Sequence, residues 1–324
     1  MTEASPRIRP GIATPTIRME LAEKIREFAL RDRIAAFWGD AVGAPRDIYD
    51  TFIAACPRAG GVAERAVNCP GVDGWWMLPE RSEPGEAILF LHGGGYVQGS
   101  ARAYRGFVSQ IVGRAGIPAL VIDYPLAPEA TLPAAPDAAA AAYEWIGAQG
   151  FDRVAVVGDS AGGGLALVTL AQLGNRSRRP RAGVVFSPWA DLAFTGASMR
   201  DPAVSDPLIA YEYLQDCARK YVGSMSPCHP LASPLLGDVS GLPPILIQVG
   251  TDERLLDDAR QYADRAHEAG VEVELEIYAG MHHAFQLDVA ALATSRLALD
   301  RAAAFIRRAM KADQQVLVRA QVEA

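Results

Sequence analysis

A short segment with glycine at both ends, Gly158-Asp-Ser-Ala-Gly162, most constrains what this chain can fold into. It directly follows the β-like run Arg153-Val-Ala-Val-Val157 and precedes the apolar run 165–173. This order predicts a strand, a sharp turn and a helix, with Ser160 at the apex of the turn. Small neighbours are required because such a turn holds the serine in a strained backbone conformation. The serine hydroxyl should therefore stand clear of the sheet edge, where a base can reach it.

The rest of the chain alternates between strand-like and helix-like segments, which predicts an α/β fold with a mostly parallel sheet covered on both faces. Strand-like runs lie at 74–78, 87–91, 118–123, 153–157, 182–187, 244–250 and 271–278. Helical patterns lie at 101–115, 136–148, 162–173, 253–269 and 290–311. The last strand alternates apolar and acidic residues, which is typical of a strand with one solvated face near a sheet edge.

Two segments lie outside this alternation. Apolar residues recur at helical spacing over 16–38, and a shorter helical stretch follows, so residues 1–60 are interpreted as N-terminal cap helices. Residues 61–324 then form the catalytic domain, interrupted by a long connection after residue 187. Because an ordinary crossover is much shorter, we interpret 195–225 as a lid above the carboxyl ends of the strands.

Composition excludes several classes of function. The 324-residue chain has a formal net charge of −7, and no stripe of Lys and Arg indicates nucleic-acid binding. The sequence contains no run of about 20 apolar residues, so no membrane span is expected. The N-terminus lacks the pattern of a signal peptide. The four cysteines are widely spaced, as in a reduced protein rather than a disulfide framework or a zinc site. A cytoplasmic protein without a metal is expected.

A serine nucleophile requires a base, and the five histidines narrow the choice. Only the adjacent pair His282 and His283 follows the last predicted strand, at a carboxyl end. The acid that orients the base is expected between serine and histidine in the chain. Asp252 closes the strand before it, although an aspartate there could also be a helix N-cap. Asp257 and Asp258 are the alternatives.

A second glycine-rich turn, His92-Gly-Gly-Gly-Tyr96, follows the strand-like run 87–91. The backbone amides of Gly94 and Gly95, with that of Ala161 after the nucleophile, could stabilise the oxyanion that forms during acyl transfer. Dinucleotide binding is the competing interpretation of such turns. It fails here because Ser160 and Gln98 occupy positions that the G-x-G-x-x-G motif requires to be glycine.

These motifs resemble the hormone-sensitive-lipase-like carboxylesterases of the α/β-hydrolase superfamily over roughly residues 60 to 311. The resemblance rests on the His92 turn and on Asp123-Tyr-Pro-Leu-Ala-Pro-Glu129, Gly158-Asp-Ser-Ala-Gly-Gly163 and Met281-His-His-Ala-Phe285. It implies an α/β-hydrolase fold with a helical cap, no cofactor, and a small-molecule substrate with a short to medium acyl ester.

The resemblance also assigns roles. The family's base usually precedes Gly-Phe, which matches His283 before Ala284-Phe285, and its acid matches Asp252. The implied catalytic set is Ser160, Asp252 and His283. Two residues depart from the family pattern. Pro125 replaces an arginine, which puts any ion pair there in doubt, and Ala284 replaces a glycine.

Several alternatives stay open from the sequence. A lactone hydrolase, or a non-catalytic small-molecule receptor, could be built on the same fold. The late alternating strand 271–278, if it lies near a sheet edge, would suit pairing into a homodimer. Aromatic residues of the cap and lid could line the substrate pocket or simply pack in the core; they are Phe37, Trp38, Trp189, Phe194 and Tyr211.

Overall fold

The structure is a computed structural model that describes residues 14–174 and 176–322, with side chains as far as residue 311. The segment 1–13, on which the expectation about a signal peptide rests, lies outside the described residues.

In these described ranges, nine strands form one sheet in the order β1-β9-β8-β7-β6-β4-β5-β3-β2. The strands from β1 to β5 in this order pair in parallel, whereas β3 and β2 are antiparallel. The bounds are β1 Thr16–Arg18, β2 Val62–Cys69, β3 Val72–Pro79, β4 Glu86–Leu91, β5 Ala119–Ile122, β6 Arg153–Asp159, β7 Ala182–Phe186, β8 Ile245–Gly250 and β9 Val273–Ala279. The predicted parallel α/β sheet is confirmed.

Eight α-helices accompany these strands in the described part of the chain. They are α1 Leu21–Asp40, α2 Pro45–Ala54, α3 Ala101–Ala115, α4 Ala134–Ala148, α5 Ser160–Leu173, α6 Tyr211–Val222, α7 Leu256–Glu268 and α8 Ala293–Val322. Helix α5 is buried on nearly every side, because it lies beside the central strands and carries glycine, alanine and leucine toward its neighbours. None of the helices in the described residues has the length and apolar character needed to cross a bilayer.

The first strand corrects two predictions. Residues 16–18 form β1 and do not belong to the first helix, which begins at Leu21. β1 pairs in parallel with β9, so Val273–Ala279 has a neighbour on both sides and is not the edge strand. β1 is therefore the edge strand on this side of the sheet, with β9 next to it, and the homodimer stays a prediction. The helical pattern of 21–38 masked this short β-branched segment.

Strand β2 was missed by the sequence pattern. Its residues are half-buried or exposed without strict alternation, and none is fully buried, so its apolar signal is weak. It is held by complete antiparallel register with β3, from Val62 opposite Pro79 to Cys69 opposite Val72. This hairpin pairing, and not the apolar pattern of the segment, makes Val62–Cys69 a strand.

The chain after α2 lies directly against α3. A Cβ atom added at Gly106 of α3 would fall 2.1 Å from the backbone oxygen of Cys56, so only glycine allows this approach. A Cβ atom added at Gly39, near the end of α1, would meet nothing within 4 Å. The two glycines thus differ in their surroundings, although both are helical.

Replacing Gly106 with alanine is expected to destabilise the fold by about 1–3 kcal/mol, because backbone cannot move aside as a side chain can. Gly39→Ala is the matched control and should be neutral or stabilising by up to about 1 kcal/mol, through higher helix propensity. Denaturant unfolding of both variants measures the difference. Equal stability of the two variants would contradict the close approach.

Candidate active site

Ser160 occupies the turn between β6 and α5 with a backbone φ of 53°, in the left-handed region that non-glycine residues rarely adopt. The flanking glycines make the turn possible. A Cβ at Gly158 would fall 2.3 Å from the oxygen of Gly162, and one at Gly162 would fall 2.1 Å from the oxygen of Leu91. The predicted strained serine turn is confirmed.

The structure brings His283 to this serine. Its Nε2 lies 2.8 Å from the Oγ of Ser160, although the two residues are 123 positions apart. His283 follows β9 and is buried. Burial lowers the pKa of its ring, but the carboxylates of Glu253, Asp206 and Asp159 outweigh that effect and raise the pKa above 6.5.

Glu253, and not the expected Asp252, stands against the histidine. Its Oε1 lies 3.5 Å from Nδ1 of His283, and its side chain is fully buried. Within the described residues, neither Oε1 of Glu253 nor Nδ1 of His283 has any other hydrogen-bond partner. Asp252 points the other way: its side chain is 44% exposed, and its Oδ2 accepts a hydrogen bond from Arg31 at 3.1 Å. The sequence expectation for the acid is corrected by one residue.

The other oxygen of Glu253 is held firmly. Its Oε2 accepts hydrogen bonds from the hydroxyl of Ser187, at 2.7 Å, and from the backbone N–H of Gly250, at 3.0 Å. Ser187 Oγ in turn accepts from the N–H of Ala284, next to the histidine. Ser187 therefore links the acid to the base, and sequence reasoning missed it. Its position directly after β7, at a carboxyl end, was the available signal.

The fallback acids have other roles. Asp258 accepts backbone hydrogen bonds from Ala190 and Asp191, both at 2.9 Å, and Asp257 accepts one from Ser198 at 2.8 Å. Both carboxylates therefore hold the connection that leaves β7, away from the histidine.

The three residues predicted to bind the oxyanion surround the serine. Gly94 and Gly95 line the same cavity as Ser160, with φ values of 115° and 63° that favour glycine. A Cβ at Gly94 would fall 2.2 Å from the oxygen of Gln98, so the turn tolerates no side chain there. Ala161 is the next residue after the serine, in the first turn of α5, where backbone N–H groups lack helical acceptors.

A buried polar network holds this glycine turn. Asp159, which precedes the serine, accepts hydrogen bonds from the N–H of Gly93 and the hydroxyl of Tyr104, both at 2.9 Å. Burial raises the pKa of Asp159 to about 6, and these donors limit the rise. The hydroxyl of Tyr49, from α2, lies 2.9 Å from that of Tyr104 and brings the N-terminal helices into the network.

Burial also lowers the pKa of His92 to about 4, so its ring is neutral near pH 7. The ring stacks on Tyr124, with centroids 4.3 Å apart, and the Tyr124 hydroxyl donates to the backbone oxygen of His92 at 2.7 Å. His92 is thus part of the turn's scaffold.

The cavity above the serine holds about 300 Å³. Its lining is mainly apolar and comes from α1, α2, α6 and the strand-end loops; it includes Trp38, Ile48, Phe52, Leu208, Ile209, Leu214 and Leu287. Of the five aromatic residues that the sequence left open, Trp38 lines this cavity, whereas Trp189 is fully buried in the core beside Tyr96. Tyr49, Phe52 and Tyr213 supply the other aromatic walls.

The motif that contains Pro125 does form an ion pair, through its glutamate and a residue of α2. Glu129 pairs with Arg46 of α2, whose Nη2 lies 2.6 Å from its Oε2. Arg46 also donates to the backbone oxygen of Val97 at 2.8 Å and to that of Ala127 at 3.0 Å. An arginine from the N-terminal helices thus pairs with the glutamate of this motif.

In the described residues, no three His, Cys, Asp or Glu side chains gather closely enough to hold a metal ion. The polar groups around Ser160 are instead the hydroxyl, the imidazole, the carboxylate and backbone amides, which together suit attack on a carbonyl carbon.

Comparison with known sequences agrees with this geometry. The profile of the alpha/beta hydrolase fold matches residues 88–287. An acetyl-hydrolase from Streptomyces hygroscopicus is 41% identical over 237 residues, which are 72% of this chain and 79% of that protein. An esterase from Acinetobacter venetianus is 33% identical over 76% of this chain and 82% of its own length.

Solved structures agree as well. An esterase from the bacterial hormone-sensitive lipase family superposes with a TM-score of 0.84 and 36% identity, covering 90% of this chain and 99% of that one. An esterase/lipase from an uncultured bacterium superposes with a TM-score of 0.80 and 33% identity, covering 88% of this chain and 98% of its own.

The neighbouring His282 serves a different purpose from His283. Both of its ring nitrogens lie 3.0 Å from carboxylate oxygens, Nδ1 from Glu27 and Nε2 from Asp288. Since carboxylates only accept, both nitrogens must carry protons, and the ring is an imidazolium. Burial lowers the pKa of His282, but the two carboxylates reverse this and raise it from 6.5 to about 9.

Because this pKa is higher in the folded than in the unfolded chain, the charged ring stabilises the fold fully below about pH 6.5. The stabilisation is lost as the pH rises through about 9. We expect the free energy of unfolding to fall by on the order of 3 kcal/mol across this interval. Urea unfolding at several pH values measures it. His282→Gln should show a flatter profile, and equal slopes for the two proteins would refute the buried imidazolium.

Proposed function

Because the chain belongs to the hormone-sensitive-lipase family of alpha/beta hydrolases, which are esterases, we propose that it is a serine carboxylesterase acting through an acyl-enzyme. Its substrates are short- to medium-chain esters of small molecules. The observation that carries the proposal is the 2.8 Å contact between Ser160 Oγ and His283 Nε2, on a serine held in a strained turn.

The proposed reaction begins when Ser160 Oγ attacks the ester carbonyl carbon and His283 Nε2 takes the hydroxyl proton. The carbonyl oxygen becomes an oxyanion that accepts hydrogen bonds from the backbone amides of Gly94, Gly95 and Ala161. When the tetrahedral intermediate collapses, the C–O bond to the alcohol breaks, and His283 gives its proton to the leaving oxygen. The products of this half-reaction are the free alcohol and an acyl group bound to the serine.

Deacylation repeats these steps with water. His283 takes a proton from the water as its oxygen attacks the acyl carbon, and then returns the proton to Ser160 Oγ as the carboxylic acid leaves. In both halves Glu253 faces Nδ1, orients the ring and stabilises the imidazolium. The raised pKa of His283 is consistent with this role, since the same carboxylate favours the charged ring.

The cavity supports a small, uncharged substrate. Its volume of about 300 Å³ is at the lower end for ligand pockets. Among the described residues that line it, none is a lysine or arginine. A carboxylate on the substrate would therefore be desolvated without a counter-charge, which is costly.

The alternatives make different predictions. A receptor would keep the fold without turnover, but the complete set of serine, base and acid favours catalysis. A lactone would use the same residues and leaves a ring-opened hydroxy acid. The cytoplasmic location and the homodimer stay predictions from the sequence.

The first prediction of this mechanism separates Glu253 from its neighbour. Ser160→Ala should abolish hydrolysis of p-nitrophenyl butyrate, and Glu253→Gln should lower kcat by roughly 10⁴-fold, as loss of an orienting carboxylate does. Asp252→Asn should keep kcat within about tenfold of wild type, because this side chain faces Arg31 and not His283, and an asparagine oxygen can still accept the hydrogen bond from Arg31. Steady-state kinetics with circular dichroism of each variant provide the test. A larger loss of kcat in Asp252→Asn than in Glu253→Gln would instead assign the acid to Asp252.

A second prediction concerns acyl length. The cavity should favour p-nitrophenyl butyrate over the laurate ester by roughly tenfold or more in kcat/KM, because a twelve-carbon chain leaves much apolar surface outside it. Leu214→Ala, which widens the cavity, should raise the laurate-to-butyrate ratio. Leu236→Ala, on an exposed turn away from the cavity, is the matched control. A preference for laurate in the wild type would contradict the proposed size limit.

A further inference from the structure

One arginine of the first cap helix touches both loops that carry the acid and the base. Arg31 lies on α1 with 13% of its side chain exposed. Its guanidinium donates to Glu27 Oε1 at 2.5 Å and to Asp252 Oδ2 at 3.1 Å. It also donates to the backbone oxygens of Ser205 at 2.6 Å and Gly280 at 3.0 Å.

Two of these acceptors lie beside the proposed catalytic groups in sequence. Asp252 immediately precedes Glu253, and Gly280 lies three residues before His283. The two loops also bond to each other, since the N–H of Asp252 donates to the oxygen of Met281 at 3.0 Å. The guanidinium spans them from the outside, so its position sets how far apart the loops can move.

The third loop acceptor belongs to the lid segment. Ser205 precedes Asp206, a half-buried residue whose carboxylate accepts hydrogen bonds from the N–H groups of Leu208 and Ile209. Leu208 and Ile209 line the substrate cavity. The same side chain therefore connects the helical cap, the lid, the acid loop and the base loop.

A second link from α1 reinforces the first. Glu27, one turn before Arg31, accepts from Arg31 and also lies 3.0 Å from Nδ1 of His282, the neighbour of the base. The far side of the His282 ring is held by Asp288. The backbone around His283 is thus fixed from α1 at two places.

The contact between Glu253 and His283 depends on the positions of the two loops that carry them. The distance of 3.5 Å between Glu253 Oε1 and His283 Nδ1 exceeds that of an ordinary hydrogen bond, so a small shift of either loop decides whether it forms. From this geometry we infer that Arg31 is a positioning residue for ester hydrolysis, which aligns the loop of Glu253 with the loop of His283 when α1 is docked.

Arginine suits this position better than lysine. A guanidinium offers five N–H donors in a rigid planar fork, and here the fork meets four acceptors in different directions. A lysine ammonium keeps the charge but cannot reach the carbonyl of Gly280, the carbonyl of Ser205 and both carboxylates together. The inference rests on the proposed function, but it concerns a contact that can be measured without turnover.

The test compares Arg31→Met and Arg31→Lys with Arg26→Met, an exposed arginine on the same helix. For p-nitrophenyl butyrate we expect Arg31→Met to lower kcat by roughly tenfold to a hundredfold, as misplacement by about 1 Å does, with little change in KM. Arg31→Lys should lie between Arg31→Met and wild type. Arg26→Met should match wild type.

The pH dependence distinguishes positioning from simple anchoring of the cap. Glu253, Asp206 and Asp159 face His283 and favour its charged form, so a looser Glu253 contact must lower its pKa. The acidic limb of kcat/KM, and an NMR titration of the His283 ring, should both move to lower pH by about half a unit or more in Arg31→Met. Thermal unfolding of each variant checks that it is folded. If Arg31→Met does not fold, the same comparison is made with Arg31→Lys.

Two results would overturn the inference. One is a lowered melting temperature with unchanged kcat and an unchanged His283 titration, which would mean that Arg31 only anchors the helix. The other is a fall in kcat with the His283 titration unmoved. If the wild type shows no Ser160-dependent hydrolysis while the titration still shifts, then the proposed function fails and the positioning role of Arg31 stands.

Discussion

The strained turn at Ser160 is the constraint on which the site depends. A non-glycine residue at a φ of 53° is unfavourable, and it persists here because β6 and α5 are both buried against neighbours that cannot move. Glycine at 158 and 162 lets the backbone of this turn approach Leu91 and His92 at the end of β4. The serine hydroxyl and the amide of Ala161 are therefore placed by the packing of the central sheet, not by a flexible loop.

Around this fixed serine, the charges are arranged by burial and pairing. Buried carboxylates carry a high desolvation cost, which hydrogen-bond donors offset at one oxygen of Glu253 and at both oxygens of Asp159. Glu253 binds the hydroxyl of Ser187 and the N–H of Gly250, and Asp159 binds Gly93 and Tyr104. These donors orient the carboxylates as well as stabilising them, so His283 meets a preorganised negative environment when it takes a proton.

The N-terminal helices contribute to the site as much as the sheet does. Helix α2 brings Arg46 to Glu129 and Tyr49 to Tyr104, and helix α1 brings Glu27 to His282. Both helices also supply walls of the cavity, such as Trp38 and Phe52. The cap therefore shapes the substrate pocket and supports the turn and loops that carry the chemistry, and Tyr49 takes part in both.

The amino-acid sequence alone determined the α/β alternation, the strained serine turn and the histidine at a strand end, because each follows from local periodicity or from glycine at fixed offsets. It led to Asp252 and not to Glu253, because both follow β8 and what separates them is side-chain direction: Asp252 faces Arg31, and Glu253 faces His283. Strand β1, the pairing of Arg46 with Glu129 and the hydrogen bonds of Arg31 likewise join residues far apart in the chain. Tertiary structure decided these features, because burial and hydrogen bonding between distant segments set side-chain direction, and no local pattern records it.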